Sequence, residues 1–260
     1  NAFVAGGADI VPVEIDDEGL SIADGLRKAP HFRLAFVTPS HQQPLGQVMS
    51  LSRRLALLGA AEDADALIVE DDYDGEFYYG DQPQPPLKSI DTQERVIYVG
   101  TFSKSLFPSL RLGFVLAPRG LESAFAEISA GWLSGVPTAT QAIVADFMNE
   151  GLFSTHIRLM RQAYKARHDA LIEATADLSG KIDVRPTSSG FHTVGLLPDD
   201  ADEERIVAGA REQGIVVAAL SRYSAAPLDR KGLVLGFGGV TPEEIRRGVQ
   251  KLRSLPELAQ

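Results

Sequence analysis

One lysine, Lys104, lies among hydroxyl side chains, and an arginine follows it seven residues later at Arg111. The segment reads TFSKSLFPSLRLG. A lysine that reacts as an amine must lie at a desolvated site or near other cations, because the pKa of lysine in water is about 10.4. Arg111 would supply a cation and a forked donor for a phosphate. The segment therefore favours a reactive lysine beside a phosphate, and a surface lysine in a serine-rich loop is the alternative.

An apolar run upstream ends abruptly in acids, in the sequence LIVEDDYD. Such a run predicts a buried parallel strand, and ligands of open α/β sheets bind beyond the carboxyl ends of these strands. A second apolar strand, residues 95–99, ends just before Thr101 and Lys104. Two strand ends, one with acids and a tyrosine and one with lysine, serine and arginine, would therefore face one cofactor.

At these residues the chain resembles a known family, the fold-type I aminotransferases that use pyridoxal 5′-phosphate. The closest resemblance is to the aminotransferase-like domain of MocR-type transcriptional regulators, which belong to the GntR family. It rests on the ordered segments TPSHQQPLG, VEDDYDGEF and RVIYVGTFSKSLFPSLRLGF, which lie in the first half of the chain. The later elements follow the order of the family.

The resemblance implies a role for each chemical group. Lys104 would form the internal aldimine with pyridoxal 5′-phosphate, Asp71 would pair with the pyridine nitrogen, and Tyr73 would hydrogen-bond the ring oxygen. Asp72 is the alternative partner of the nitrogen. The phosphate would be held by three side chains, namely Ser103, Arg111 and Thr101.

The loop TPSHQQPLG departs from ordinary class I enzymes, which carry an asparagine–proline pair here whose asparagine touches the ring oxygen. This chain offers His41 or Gln43 instead, as the MocR-type subgroup does. The departure favours a regulator over a housekeeping transaminase. On its residue type alone, His41 in a polar loop predicts a solvated histidine, since it lacks an evident base or metal partner.

Arg222 follows the predicted strand 215–219. The resemblance implies that an arginine near this place binds the carboxylate of an amino-acid-like ligand, and the planar guanidinium fork suits that role. A surface arginine at a strand end is the alternative.

The bulk composition favours a folded cytoplasmic protein. The chain has 260 residues, 44% of them hydrophobic and 23% charged, with no cysteine. It shows no run of about 18 apolar residues and no secretory signal, so no membrane association is predicted. A net charge of −10 opposes binding of a phosphate backbone, so another segment must make any contact with DNA.

The predicted fold is α/β, a mostly parallel sheet with helices on both faces and a smaller C-terminal α/β domain. Residues 1–153 would be the remainder of the large cofactor domain and residues 154–260 the small domain. A helix over 48–61 is predicted to pack with Val48, Leu51, Leu55 and Leu58, leaving Arg53 and Arg54 solvated. Further strands are predicted at 11–15, 34–37, 112–117, 191–196 and 233–237.

The opening residues NAFVAGGAD resemble the segment that follows the family's first strand and phosphate loop. We therefore expect the N-terminal part of the large domain, and a winged helix-turn-helix before it, to be missing from this chain. DNA would be contacted only through that absent part.

Three functions remain open. The first is an effector domain of a MocR-type regulator that forms an aldimine with an amino-acid-like ligand. The second is a genuine class I/II aminotransferase that exchanges an amino group between an amino acid and a 2-oxo acid. The third is a dimerisation scaffold without cofactor. The resemblance also implies a homodimer, and the sequence predicts no metal site.

Overall fold

Short strands and helices alternate along the chain. The structure is a computed structural model and describes residues 2–80, 83–132, 137–224 and 228–259. The described strands are β1 (Ile15–Asp16), β2 (Gly19–Leu20), β3 (Leu34–Val37), β4 (Leu67–Asp72), β5 (Val96–Thr101), β6 (Gly113–Leu116), β7 (Asp183–Val184), β8 (His192–Leu197), β9 (Ala218–Ala219) and β10 (Lys231–Gly236). The described α-helices are α1 (Ala2–Ala5), α2 (Ile22–Lys28), α3 (Leu51–Asp63), α4 (Leu87–Ile90), α5 (Phe102–Ser105), α6 (Glu122–Trp132), α7 (Thr138–Asn149), α8 (Leu152–Thr175), α9 (Glu203–Glu212), α10 (Pro242–Arg253) and α11 (Pro256–Ala259).

The first sheet has the strand order β3-β4-β5-β6. Strands β3, β4 and β5 run parallel, and β6 runs antiparallel to β5 at the edge. Helix α3 makes the crossover between β3 and β4, as a parallel pair requires. The carboxyl ends of the three parallel strands therefore meet at one edge of the sheet, and the predicted mostly parallel sheet is confirmed.

Helix α3 begins at Leu51, after Ser50, whose hydroxyl accepts the main-chain N–H of Arg53 at 3.2 Å. The predicted start at Val48 was therefore too early. The predicted packing face was also wrong, because Leu51 and Leu55 are 44% and 54% exposed. The core around α3 and the sheet contains these buried residues: Val37, Met49, Leu57, Ala61, Ala66, Ile68, Leu87 and Val96.

Arg54 shares the buried face of α3, and its exposed fraction is 0%. The prediction of a solvated pair was therefore wrong for Arg54. Arg53 does reach the surface acids, and its guanidinium lies 2.9 Å from Asp16 and 3.4 Å from Glu18.

The predicted strand over 11–15 was wrong except at its last residue. Ile15 and Asp16 pair with Leu20 and Gly19 in a two-residue antiparallel ladder. In the residues before this ladder, two side chains of α2 hydrogen-bond to main-chain groups. Asp24 accepts the N–H of Glu14 at 2.9 Å, and Lys28 donates to Pro12 O at 3.1 Å. These bonds replace a strand partner.

The second sheet is antiparallel throughout its described strands, in the order β7-β8-β10-β9. The strand predicted at 215–219 is confined to Ala218 and Ala219, and Val216 before them is 91% exposed. The largest core of this part is built from α8, α9, α10 and the sheet, and contains Leu171, Ile182, Leu197, Ile206, Leu233, Leu235, Phe237, Ile245 and Val249.

The chain forms two compact units. The first comprises Asn1–Gln42, Gln47–Tyr73 and Gln82–Asn149, and the second comprises Gln43–Gly46, Asp74–Asp81 and Glu150–Gln260. Two short pieces from the first half of the sequence thus belong to the second unit. A domain boundary near residue 153 stays a prediction. Across the described ranges, every helix is too short or too polar to span a bilayer.

Candidate functional site

The parallel register of β4 and β5 brings the two predicted strand ends together. Asp71 is paired with Val99, and Asp72 with Gly100. Strand β5 ends at Thr101, and α5 with Lys104 follows without a break. The acids of β4 and the lysine of α5 therefore lie at the same edge of the first sheet, where ligands of α/β proteins bind.

The two neighbouring acids of β4 point to opposite faces of the sheet, because side chains alternate along a strand. Asp72 shares a face with the buried Glu70, and its Oδ2 accepts the hydroxyl hydrogen of Tyr98 at 2.7 Å. Asp71 lies on the other face and is half-buried. Of the two candidate partners of the pyridine nitrogen, Asp72 thus already accepts a hydrogen bond from Tyr98, on the face of the sheet that carries Glu70.

His41 and Tyr73 form a pair at this edge. The Tyr73 hydroxyl donates to the main-chain oxygen of His41 at 3.0 Å and lies 3.2 Å from His41 Nδ1. A phenol has one hydrogen, so while that hydrogen is directed at His41 O, the contact with Nδ1 requires the imidazole tautomer that carries its hydrogen on Nδ1. His41 is 1% exposed, and its interpretation as a solvated histidine was wrong.

The loop around Lys104 is organised by its hydroxyl groups. Thr101 caps α5, because its Oγ1 accepts the N–H of Ser103 at 3.1 Å. Ser105 is buried and donates to Thr101 O at 3.3 Å, whereas the side chain of Lys104 is exposed. The lysine thus projects from a turn whose backbone is fixed at both ends.

Arg111 has a left-handed backbone, with φ 51° and ψ 34°, after the 3₁₀ turn Pro108–Leu110. This region is uncommon for residues other than glycine and recurs at functional sites. The next residue, Leu112, accepts the N–H of Phe102 at 2.9 Å, so the turn lies against α5. Arg111 is exposed and comes near the same helix that carries Ser103 and Lys104.

Gln43 and Arg222 belong to the second unit. Arg222 lies in the 3₁₀ turn Leu220–Tyr223, and its guanidinium forms a forked pair with Glu204, with distances of 3.1 and 3.3 Å. These bonds raise the pKa of the Arg222 guanidinium above its usual value. The fork is thus paired with a carboxylate of the protein itself, and a role of Arg222 in binding a ligand carboxylate stays a prediction.

The predictions missed a buried cation of the first unit, Arg54. Arg54 donates to the main-chain oxygens of Met49, Pro85 and Pro39, at 3.0, 3.1 and 2.8 Å. The available signal was its spacing of three residues from Leu57 and seven from Ala61, which places it on the buried helix face. A charged residue on such a face requires acceptors that only the folded chain reveals.

The model of the family described as aminotransferase class I and II matches residues 3–252. The chain belongs to the class I and II aminotransferase family. Among its curated relatives, the probable rhizopine catabolism regulatory protein MocR of Rhizobium meliloti is 37% identical, over 98% of this chain and 51% of the relative. The uncharacterized HTH-type transcriptional regulator YhdI of Bacillus subtilis is 36% identical, over 97% of this chain and 54% of the relative.

A solved structure of LysN, the α-aminoadipate aminotransferase of Thermus thermophilus, superposes with a TM-score of 0.89 at 26% identity, over 99% of this chain and 68% of that one. It was solved with N-(5′-phosphopyridoxyl)-L-leucine. These findings confirm the predicted aminotransferase fold and the resemblance to MocR-type regulators. The chain spans about half the length of these curated relatives.

Proposed function

We propose that this chain is the effector domain of a MocR-type transcriptional regulator, and that it binds pyridoxal 5′-phosphate and an amino-acid-like ligand. The observation that carries the proposal is the shared sheet edge of Asp71 and Lys104, in a chain that is 37% identical to a regulator over 98% of its length. The bond between Tyr73 and His41 at the same edge supports it.

The chemical groups at this edge fit the proposed cofactor. A carboxylate suits a protonated pyridine nitrogen, a phenol suits a ring oxygen, and a primary amine suits an aldehyde. Asp71, Tyr73 and Lys104 supply these three groups. Ser103, Arg111 and Thr101 would hold the phosphate through hydroxyl hydrogens and a guanidinium fork. When bound, the cofactor supplies an electron sink for bonds at the ligand's α-carbon.

The protein's own part is to hold charges and protons in place. The Asp71 carboxylate would keep the pyridine nitrogen protonated, because a negative charge within a few ångströms favours the cationic form. Arg111 would lower the pKa of a nearby amine by adding positive charge. Tyr73 would turn its hydroxyl hydrogen from His41 O toward the ring oxygen, while Nδ1–H of His41 continues to support its oxygen.

Covalent labelling tests the assignment of the lysine. The chain is incubated with pyridoxal 5′-phosphate, reduced with borohydride, digested and analysed by mass spectrometry. We expect the pyridoxyl group on Lys104 and its loss in Lys104→Arg. A label on Lys88 or Lys165 instead, or no label at all, would show that Lys104 is not the residue that binds the cofactor covalently.

A genuine aminotransferase is the second candidate, and the superposition with LysN at a TM-score of 0.89 favours it. The absorption spectrum of the bound cofactor distinguishes the candidates when an amino acid and then a 2-oxo acid are added. A regulator domain gives a stable amino-acid-bound spectrum, a transaminase passes to the amine form and returns, and a scaffold gives no spectrum.

The proposed partners follow from charge and from the relatives. A chain with a net charge of −10 lacks the counterion-release contribution that dominates DNA binding, so operator contact would belong to a helix-turn-helix outside these residues. A homodimer is proposed because of the family resemblance. Gel shift and light scattering of this chain test both points, and specific DNA retardation by this chain would overturn the first.

A further inference from the structure

The guanidinium of Arg54 is fully enclosed by main-chain acceptors. It is 0% exposed, and all three of its nitrogens donate to carbonyl oxygens, those of Met49, Pro85 and Pro39. Burial lowers the pKa of Arg54, and the charges of Glu70 and Asp72 oppose that shift. A buried cation is costly, so a chain that needed only to fill this volume would do better with leucine or methionine.

Glu70 completes the arrangement from the strand side. It is 0% exposed, its carboxylate lies 3.8 Å from the Arg54 guanidinium, and its two oxygens accept the N–H groups of Leu87 and Lys88 at 2.8 and 2.9 Å. The acid therefore ties strand β4 to the first turn of α4. Burial raises the pKa of Glu70, while the two N–H bonds and Arg54 oppose the rise.

The acceptors lie next to the residues of the proposed site. Pro39 precedes His41 by two residues, and Glu70 immediately precedes Asp71. The Arg54 guanidinium thus contacts both the loop that carries His41 and the strand that leads to Tyr73. These are the two segments that the bond between Tyr73 and His41 joins. A shift of the loop would break the hydrogen bond from Arg54 to Pro39 O, and a shift of the strand would change the ion pair of Arg54 with Glu70.

We infer that Arg54 is a positioning residue, which with Glu70 sets the placement of the loop that carries His41 relative to the strand end that carries Asp71 and Tyr73. The inference rests on the proposed function where it concerns the cofactor. Its mechanical part stands on the hydrogen bonds of Arg54 and Glu70 and on the 3.8 Å ion pair between them, so the two parts can fail separately.

Hydrogen–deuterium exchange of this chain without cofactor tests the mechanical part. Arg54→Met retains a long unbranched side chain but removes the guanidinium and its hydrogen-bond donors. We expect the amides of 40–42 and 71–73 to exchange about tenfold faster than in the wild type, with α6 and the second unit unchanged. Arg53→Met is the matched control, because its side chain reaches the surface acids, and it should leave both segments at the wild-type rate.

A uniform rise in exchange over the whole first unit, or local rates equal to those of Arg53→Met, would overturn the inference in favour of a general packing role. If Arg54→Met does not fold, Glu70→Gln provides the same test. It keeps the volume and one acceptor but places an amide NH₂ against an N–H of α4, so faster exchange is expected at 71–73. Unchanged exchange there would overturn the inference equally.

Titration with pyridoxal 5′-phosphate tests the part that depends on the site. Arg54→Met should bind the cofactor about tenfold more weakly and with a shifted visible maximum, and Arg54→Lys should recover part of the affinity because it restores a donor. A wild type without any cofactor spectrum would refute the proposed function and leave the exchange result standing. A normal spectrum and affinity in Arg54→Met would refute the positioning role.

Discussion

Tyr73 donates its hydroxyl hydrogen to the main-chain oxygen of His41 at 3.0 Å. The bond joins the loop after β3 to the end of β4, two segments that are 32 residues apart in sequence. Both strands run parallel in the same sheet, so the bond extends their pairing past the last main-chain partners. The result is a phenol held at the sheet edge, one strand away from the helix that carries Lys104.

Tyr73→Phe removes this donor. We expect the affinity for pyridoxal 5′-phosphate to fall by roughly fivefold, because a net hydrogen bond contributes about 1 kcal/mol. The measurement is a titration of the cofactor followed by its visible absorption. Tyr78→Phe, the same chemical change in a residue of the second unit, is the control. Equal affinities in Tyr73→Phe and in the wild type would exclude the hydroxyl from the site.

Asp71→Asn and Asp72→Asn separate the two acids at the end of β4. A neutral amide cannot hold a pyridine nitrogen protonated as a carboxylate does, so Asp71→Asn should still attach the cofactor but respond to amino acids about a hundredfold more slowly. Asp72→Asn should respond at close to the wild-type rate, since an amide oxygen can still accept from Tyr98. Stopped-flow absorbance after addition of an amino acid gives both rates. The reverse order would assign the nitrogen to Asp72.

Glu204→Gln should strengthen binding of ligand carboxylates if Arg222 is their partner. The guanidinium is now paired with Glu204 at 3.1 Å, and a neutral amide competes less for it. The gain in affinity should be roughly two- to fivefold, because exposed ion pairs contribute little. Titrations with L-alanine, L-leucine and L-glutamate measure it. Glu212→Gln on the same helix is the control. If the single variants Glu204→Gln and Arg222→Lys both bind these ligands with the wild-type affinity, Arg222 does not belong to the site.

Local signals predicted well wherever a short segment determines its own structure. Helix α10 carries the local signals that begin a helix, with Thr241 as the N-cap, Pro242 in the first turn, and Glu244 closing a capping box. The strands β4 and β5 also lie where their apolar runs predict them. The shared sheet edge of Asp71 and Lys104 was predictable from those two apolar runs, because neighbouring parallel strands have their carboxyl ends at the same edge of the sheet.

Predictions failed where the partner lies far away in sequence. The strand over 11–15 had suitable residues, but Asp24 and Lys28 from the next helix satisfy its main-chain groups instead. The prediction of a solvated Arg54 gave more weight to its charge than to its position on the buried face of α3. Its acceptors at Pro39 and Pro85 lie 15 and 31 residues away, and no local pattern reveals them.

The Asp24 carboxylate offers a test of stability against pH. It lies in the first turn of α2 and accepts the N–H of Glu14 at 2.9 Å, with Lys28 at 2.7 Å and Arg27 also bound to it. The bond from Glu14 and then that from Lys28 lower the pKa of Asp24 below its usual value. A carboxyl whose pKa is lower in the folded state binds fewer protons there than in the unfolded state. Its contribution to stability is therefore complete above the unfolded pKa, about 3.9, and is lost as the pH falls through the folded value.

Asp24→Asn should accordingly lower the urea midpoint at pH 7, and the difference from the wild type should shrink as the pH is lowered below about 4. Unfolding followed by circular dichroism at a series of pH values measures this. Asp17→Asn removes an exposed carboxylate from the preceding turn and should leave the midpoint near that of the wild type at every pH. A loss in Asp24→Asn that stays constant down to pH 3 would show that the effect comes from packing of the amide and not from the charge on Asp24.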